Sequence, residues 1–208
     1  MRPVIFCNIA YMKYYRGIIN GVDEPENGGK YVKEQKDAHE SYNFDIVTDK
    51  EGKNYLLGFV MTNSDFGRIA IEKIIGCQAL EKENFADGVT VVWCARSRRS
   101  GGTRVVGWYN NATVYREQQC VVFQNGYEQG YNFVAEAEDC VLLPESERFR
   151  YQWDFPRSGH NGYNFGFGRA NVWYASGNDS RMTTFIDRIL SQIGNYDGKN
   201  LMTEEDLK

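Results

Sequence analysis

The sequence has no long hydrophobic run and little histidine, and both absences narrow the function. No apolar stretch in the 208 residues approaches the roughly 18 that a membrane-spanning helix needs, so we expect no membrane partner. His39 and His160 are the two histidines, and no two of the five cysteines have CxxC spacing. Neither a zinc site nor another cofactor is therefore expected.

The chain also lacks the excess of basic charge that is typical of proteins that coat nucleic acid. It has 24 Lys and Arg against 28 Asp and Glu, which gives a formal net charge of −4. The arginines are nevertheless concentrated, because residues 96–116 include five of them and no acidic residue. Since local fields decide where an anion docks, an acidic protein can still carry one phosphate-binding patch.

The N-terminus lacks the charged and apolar regions of a secretory signal, and the cysteines lie mostly in apolar runs. Buried, reduced thiols are the expected state of an odd set of cysteines without paired spacing. We therefore expect a cytoplasmic protein.

The 4 Trp, 14 Tyr and 12 Phe residues argue against disorder, because disordered chains are poor in aromatic residues. Runs of β-branched and aromatic residues separated by Gly, Asn and Asp predict a protein rich in strands. Two tight turns are expected, at 100–102 and at 110–111, so residues 89–116 should form a three-stranded antiparallel meander. The predicted strands are 4–9, 55–61, 88–95, 103–109, 112–116, 120–123, 132–135 and 171–174.

Two segments have the apolar spacing of amphipathic helices. One is 66–75, and the other follows the cap residues at 178–180 and ends near Gly194. No βαβ alternation is visible, which disfavours a doubly wound sheet. We predict an α+β domain over residues 1–194, with a curved, mostly antiparallel sheet or partly closed β-barrel and two or three packing helices. Residues 195–208 are polar and acidic and are predicted to form a loose tail or a linker stub.

The first candidate site is the aromatic segment 108–116. Trp108 and Tyr109 could stack on a nucleobase, and a neighbouring amide could hydrogen-bond to its Watson–Crick edge. Base–aromatic stacking contributes roughly 1–3 kcal/mol per base. The alternative is that the two rings alternate across a strand and that one of them lies in the core.

The second candidate site is the loop 96–104, which places four arginines within nine residues. Arginine forks match phosphate oxygens, and serine hydroxyls and glycine amides add donors. The alternative is an exposed hairpin tip that arginine keeps soluble.

Two further motifs give weaker signals. Residues 158–169 interleave glycines with aromatics, which suits either the close approach of a planar ligand or a long ordered loop. His39 and Glu40 begin a pattern like HExxH, but Asn43 stands where the second histidine is needed. A pairing of Cys94 or Cys140 with a histidine has no support from spacing. No catalytic residues are assigned, and an enzyme is not expected.

Five strings follow one another along the chain, at residues 8–17, 28–31, 39–40 with 43–44, 105–109 with 112–116, and 171–175. In this order they resemble the N-terminal module of a group of bacterial proteins described as HNH-type, modification-dependent restriction endonucleases. The resemblance spans about residues 4–176. It implies a PUA-like or EVE-like module that reads a target and serves bacterial defence, and this chain lacks the paired histidines of the nuclease part.

We therefore expect a nucleic-acid-binding module, with DNA as the expected partner, that recognises a modified or flipped base and has no nuclease activity of its own. Trp108, Tyr109 and Tyr31 would line the pocket, and His39 and Asn43 would bind the edge of the base. Two alternatives stay open, namely a small-molecule-binding or enzymatic barrel that holds a nucleotide or nucleoside, and a module for protein interaction. The predicted phosphate-binding residues are Arg98, Arg99 and Arg104.

Overall fold

The structure is a computed structural model that describes residues 2–26, 39–62, 67–99 and 101–203. Over these ranges the chain is α+β, as predicted, with one mostly antiparallel sheet of nine strands that does not close into a barrel and two α-helices. The strands are β1 (Val4–Ala10), β2 (Ile46–Thr48), β3 (Asn54–Gly58), β4 (Phe85–Arg96), β5 (Thr103–Val122), β6 (Glu128–Glu136), β7 (Cys140–Leu142), β8 (Asp154–Phe155) and β9 (Val172–Trp173). The α-helices are α1 (Glu145–Arg148) and α2 (Ser180–Gly194), and short 3-10 helices cover His39–Tyr42, Ile71–Lys73, Gln78–Leu80, Ala137–Asp139, Tyr151–Trp153 and Leu201–Thr203.

Strand β5 is the centre of the sheet, whose order is β2-β3-β6-β5-β4-β1-β9. One edge of β5 pairs with β4, and the other pairs with β8 and β7 near its start and with β6 farther along. The central β4 also pairs with β1, and these two strands run parallel. The carboxyl ends of β1 and β4 therefore lie at the same end of the sheet, next to the loop that joins β4 to β5.

The predicted three-stranded meander is wrong, because β5 continues through Asn110 and Asn111 without reversing. Asn111 does adopt a positive φ of 50°, as expected of a turn residue, but it accompanies register shifts within the β4–β5 ladder. The left-handed conformation of Asn111 therefore belongs to a bulge-like irregularity within β5 and not to a turn. The predicted reversal between β4 and β5 is confirmed, although Ser100 lies outside the described residues.

Successive side chains of β1 and β4 alternate between two hydrophobic clusters, so both faces of the central sheet are covered. The first cluster holds an aromatic group that includes Phe44, Trp93, Tyr109 and Phe133. Gly58 lets β3 approach this group, since a Cβ there would lie 2.6 Å from Cζ2 of Trp93. The second cluster packs the opposite face against α2 and residues 153–175.

Helix α2 confirms the prediction for the C-terminal helix. The Asp179 carboxylate caps it by accepting from the backbone N–H of Arg181 (2.8 Å) and of Met182 (3.3 Å). Its apolar stripe is buried in the second cluster. The helix ends at Gly194, and the C-cap residue is Asn195 rather than the expected glycine.

The helix predicted at 66–75 is wrong, because the described part of that segment has only the 3-10 turn Ile71–Lys73. Buried Arg116 organises this region, donating from Nη1 to Glu72 at 2.6 Å and from its other nitrogens to backbone carbonyls of residues 80–83. Within the predicted helix, the N–H of Ile69 donates to the carbonyl of Arg116 at 2.8 Å, so this part of the chain pairs with β5 and does not form helical hydrogen bonds.

The tail predicted from residue 195 is also wrong as far as residue 203. Asn200 accepts from the backbone N–H of Leu142 at 3.0 Å and donates to the carbonyl of Cys140 at 2.9 Å. Leu201 is buried in the first cluster. The segment after α2 therefore closes one end of the core, and residues 204–208 lie outside the described residues.

Candidate functional site

The predicted aromatic wall lies in the interior, which corrects the assignment of Trp108 and Tyr109 as ligand-binding residues. Trp108 is 1% exposed and Tyr109 is 0% exposed. The two rings do point to opposite faces of β5, but each face is covered by one of the hydrophobic clusters. Alternation along the strand therefore leaves neither ring free for a base.

Asn43 is a structural residue and does not bind a base edge, which corrects a second assignment. Its side-chain amide donates to the carbonyl of Phe59 and accepts from the N–H of Phe59, both at 2.9 Å. The residue is fully buried, and its own carbonyl accepts from the hydroxyl of Tyr109. Both faces of the amide are thus used to fasten the chain beside β3.

His39 lies close to Asn43 in space, since the two residues share Phe59 as a neighbour. The imidazole meets the Phe59 ring edge-on at 5.2 Å, and its Nδ1 accepts from the N–H of Gly130 at 3.4 Å. The side chain is partly buried against β6. Tyr31, the remaining residue of the predicted pocket, lies outside the described residues.

The loop after β1 is held by one buried carboxylate. Asp23 accepts from the backbone N–H groups of Lys13 (2.6 Å), Tyr14 (2.8 Å) and Tyr15 (3.1 Å). Such a set of three donors fixes the backbone of the loop. The carboxylate of Glu26 accepts from the backbone N–H of Arg98 at 2.8 Å. This bond joins the loop after β1 to the loop 96–104, which we call the arginine loop.

A second fastening comes from Arg148, whose side chain is fully buried. Its guanidinium donates to the carbonyls of Leu143 (2.7 Å), Met12 (2.7 Å) and Lys13 (2.6 Å). It also lies over the ring of Tyr11 at 5.5 Å. Arg148 thereby joins α1 to the loop that follows β1 and orders the surface next to the arginine loop.

Two arginines of the arginine loop lie over the ring of Phe149, and they differ in burial and in charge pairing. The guanidinium groups of Arg99 and Arg104 lie 5.5 Å and 5.6 Å from the centre of the Phe149 ring. Arg104 is largely buried, pairs with Asp154 at 3.1 Å and donates to the carbonyl of Arg148. Its charge is therefore compensated within the fold, which corrects its assignment to phosphate binding.

Arg99 is exposed, and no carboxylate pairs with it in the part of the chain that the structure describes. Its backbone N–H donates to the hydroxyl of Ser97 at 3.1 Å, which shapes the turn. Sequence reasoning missed Phe149, which supports this guanidinium. The aromatic-rich run from 149 to 155 was the signal that could have directed attention to it.

The segment 158–169 is an ordered loop, in agreement with one of its two interpretations. Phe165 and Phe167 are buried in the second cluster, while Asn161 and three glycines, including Gly166, adopt positive φ. A Cβ at Gly166 would lie 2.2 Å from the carbonyl oxygen of Pro156. The glycine here permits close approach of the chain to itself.

Nucleophilic and metal chemistry receive no support from the described residues. Burial raises the pKa of the Cys94 and Cys140 thiols well above their ordinary value, which disfavours the thiolate. Over residues 2–26, 39–62, 67–99 and 101–203, no group of three His, Cys, Asp or Glu side chains could hold a metal ion.

The described surface also has a cleft of about 310 Å³. It lies between the segment 147–153 and the C-terminal end of α2. The sequence did not predict this cleft, because residues 147–153 and 191–198 are distant in sequence and meet only in the fold. The residues that line it include Glu147, Arg150, Gln192 and Tyr196.

Comparison with known proteins found no matching family model, no matching curated protein and no matching solved structure. In the described ranges, no helix is both long enough and apolar enough to cross a membrane.

Proposed function

We propose that the protein is a nucleic-acid-binding module in which the β4–β5 loop contacts the phosphate backbone. The observation that carries this proposal is the exposed guanidinium of Arg99 over the ring of Phe149. A guanidinium that stacks on a ring through its face keeps its N–H edges directed outwards. Those edges suit the two oxygens of a phosphate.

The surroundings of Arg99 support the proposal because the loop is preorganised. Glu26 fixes the backbone at Arg98, Ser97 fixes it at Arg99, and Arg148 holds the neighbouring segment. Binding then orders few additional groups, which lowers its entropic cost. Arg98 is exposed on the same loop and is the second proposed phosphate contact.

The proposal is narrower than the expectation from sequence. Arg104 is left out because Asp154 pairs with it, and the rings of Trp108 and Tyr109 are left out because they are buried. DNA is the proposed polymer. The net charge of −4 makes a broad, non-specific coat improbable, so we propose a local contact of a few phosphates.

Fluorescence anisotropy with labelled single-stranded and duplex oligonucleotides tests the proposal. Arg99→Ala should weaken binding about tenfold at low salt, because one charged hydrogen-bonded contact is lost. The slope of log affinity against log salt should fall by about one. Phe149→Leu should weaken binding less, since it keeps the charge and removes only its support.

Arg169→Ala is the matched control, because Arg169 is also exposed but lies on the 158–169 loop. It should leave the affinity and the salt slope unchanged. The proposal is wrong if the unaltered protein binds neither oligonucleotide at 50 mM salt, or if the two arginine variants behave alike.

We also propose a reducing, cytoplasmic location. All five cysteines are free thiols, and Cys120 is exposed. An exposed unpaired thiol fits a compartment that keeps cysteine reduced. Fractionation of the source cells with an antibody against the protein would test the location.

A further inference from the structure

The sequence contains four Asn-Gly pairs, which begin at residues 20, 27, 125 and 161. Such a pair can react within itself, because glycine has no side chain to shield its backbone nitrogen from the asparagine amide that precedes it. The pair at 27–28 lies outside the described residues. The other three pairs are all exposed, so their hydrogen bonds are what distinguishes them.

The backbone N–H of the glycine is the reacting group, and two of the three described pairs hold it in a hydrogen bond. The N–H of Gly21 donates to Oε1 of Glu24 at 2.7 Å. The N–H of Gly126 donates to the carbonyl of Phe123 at 2.9 Å. The nitrogen attacks only after it loses its proton, and an acceptor, above all a carboxylate, keeps that proton in place. Both pairs are therefore protected.

Gly162 differs, because its N–H has no acceptor among the described residues. The turn around it is closed by its neighbours: the N–H of Tyr163 donates to the carbonyl of His160 at 3.0 Å, and the N–H of Gly159 donates to the carbonyl of Tyr163 at 2.8 Å. A Cβ added at Gly162 would meet nothing within 4 Å, so the tip of this turn has open space around it.

The side-chain amides differ in the same direction. The Oδ1 of Asn125 accepts from the N–H of Tyr127 at 3.0 Å, which holds that amide in the turn. The amide of Asn161 has no hydrogen-bond partner in the part of the chain that the structure describes. Ring closure at Asn161 needs a rotation about its Cα–C bond, and exposed loop tips open locally at low free energy.

We propose that Asn161 is a site of spontaneous deamidation. The nitrogen of Gly162 loses its proton and attacks Cγ of Asn161, so an N–Cγ bond forms while the Cγ–Nδ2 bond breaks. The amide nitrogen leaves as ammonia, with a proton restored to it, and a cyclic succinimide remains. Water then opens the ring at one of its two carbonyls and gives aspartate or isoaspartate. One water is consumed for each ammonia released.

The product changes the charge of the 158–169 loop. Residues 155–178 contain no Asp or Glu and include Arg157 and Arg169. The new carboxylate is thus the first negative charge of this stretch, and it makes the formal net charge of −4 more negative by one unit. Isoaspartate also adds one carbon to the main chain, which disturbs the hydrogen bonds that close the turn at 159–163.

The test is incubation of the folded protein at pH 8, followed by peptide mapping with mass spectrometry at successive times. Conversion at Asn161 should be about fivefold faster than at Asn125, where one backbone hydrogen bond must first break, and about tenfold faster than at Asn20, where the acceptor is charged. In concentrated urea, which removes these hydrogen bonds, the three sites should convert at similar rates.

Glu24→Ala tests the protecting role of the hydrogen bond. It removes the acceptor of the Gly21 N–H and should accelerate conversion at Asn20 about tenfold, without changing the rate at Asn161. Glu51→Ala, at another exposed turn, is the matched control and should change neither rate. Asn161→Asp supplies one of the two products as a standard for ion-exchange chromatography.

Three outcomes would overturn the inference. One is that Asn161 converts no faster than Asn20 and Asn125 in the folded protein. Another is that the three rates keep the same ratios in urea, which would mean that neighbouring residues in the sequence and not the fold decide them. The third is that Glu24→Ala leaves the rate at Asn20 unchanged, since the free N–H would then not be what makes Asn161 reactive.

Discussion

The indole rings of Trp108 and Trp153 stack, with their centres 5.5 Å apart and their planes at 28°. This contact joins the middle of β5 to the 3-10 helix Tyr151–Trp153. Trp153 also lines the cleft, so Trp108 supports the cleft wall from behind. The ring that the sequence suggested as a ligand contact is therefore a packing contact inside the second cluster.

Trp108→Ala should therefore reduce the free energy of unfolding by about 3–5 kcal/mol, the usual cost of removing a large buried aromatic side chain. The loss has two parts, namely the buried area of the indole and the cavity that would separate Trp153 from β5. Urea unfolding monitored by far-UV circular dichroism measures it.

Tyr151→Ala is the control for that substitution. Tyr151 belongs to the same 3-10 helix as Trp153, the stacking partner of Trp108, but its side chain is 82% exposed. Its effect on stability should stay within about 0.5 kcal/mol. A Trp108→Ala cost below about 1 kcal/mol would mean that the indole is not packed as described.

The strand content was predictable because the patterns that specify it are local. β1 is apolar except for Asn8, as expected of a strand covered on both faces, and α2 has an apolar stripe after a capping Asp179. Asn110 and Asn111 misled the prediction, because a left-handed residue serves equally well in a turn and in an irregularity within a strand. The partner strand decides between them, and it is distant in sequence.

The site was less predictable, because burial depends on what covers each face. Alternation correctly placed Trp108 and Tyr109 on opposite sides of β5, but nothing local indicates that both sides are covered. Arg99 and Arg104 are five residues apart and look alike in the sequence. Asp154 compensates the charge of one and not of the other, and that difference arises only from the fold.

Arg148→Met should destabilise the protein by about 3–5 kcal/mol, since it leaves three buried carbonyls without their donor. Two of those carbonyls belong to Met12 and Lys13, so the loop after β1 should open first. Amide hydrogen exchange of residues 11–16 should accelerate more than that of β4 or β6.

Arg150→Met provides the control, because this neighbouring arginine is 62% exposed and pairs at the surface with Glu147. Its cost should not exceed about 1 kcal/mol. Equal protection of residues 11–16 in the two variants would contradict the role assigned to Arg148.

Glu40 should make the protein less stable as the pH rises from about 4.5 to about 7. Desolvation by burial raises the pKa of this carboxyl from its ordinary 4.5 to about 7, although the backbone N–H of Ala10, which donates to Oε1 at 3.1 Å, opposes the shift. Between these two values the folded protein binds more protons than the unfolded chain, so stability falls with rising pH and the loss is complete above about pH 8.

Glu40→Gln isolates this effect, because the amide oxygen can still accept from Ala10 and no longer ionises. The variant and the unaltered protein should be about equally stable at pH 4, and the variant should be about 2–3 kcal/mol more stable at pH 8. All other titrating groups contribute equally to both proteins and cancel in the difference. Glu51→Gln, at an exposed turn, should show no such difference at either pH. A Glu40→Gln difference that is constant from pH 4 to pH 8 would mean that the carboxyl is as well solvated in the folded protein as in the unfolded chain, and that its contact with β1 costs nothing on ionisation.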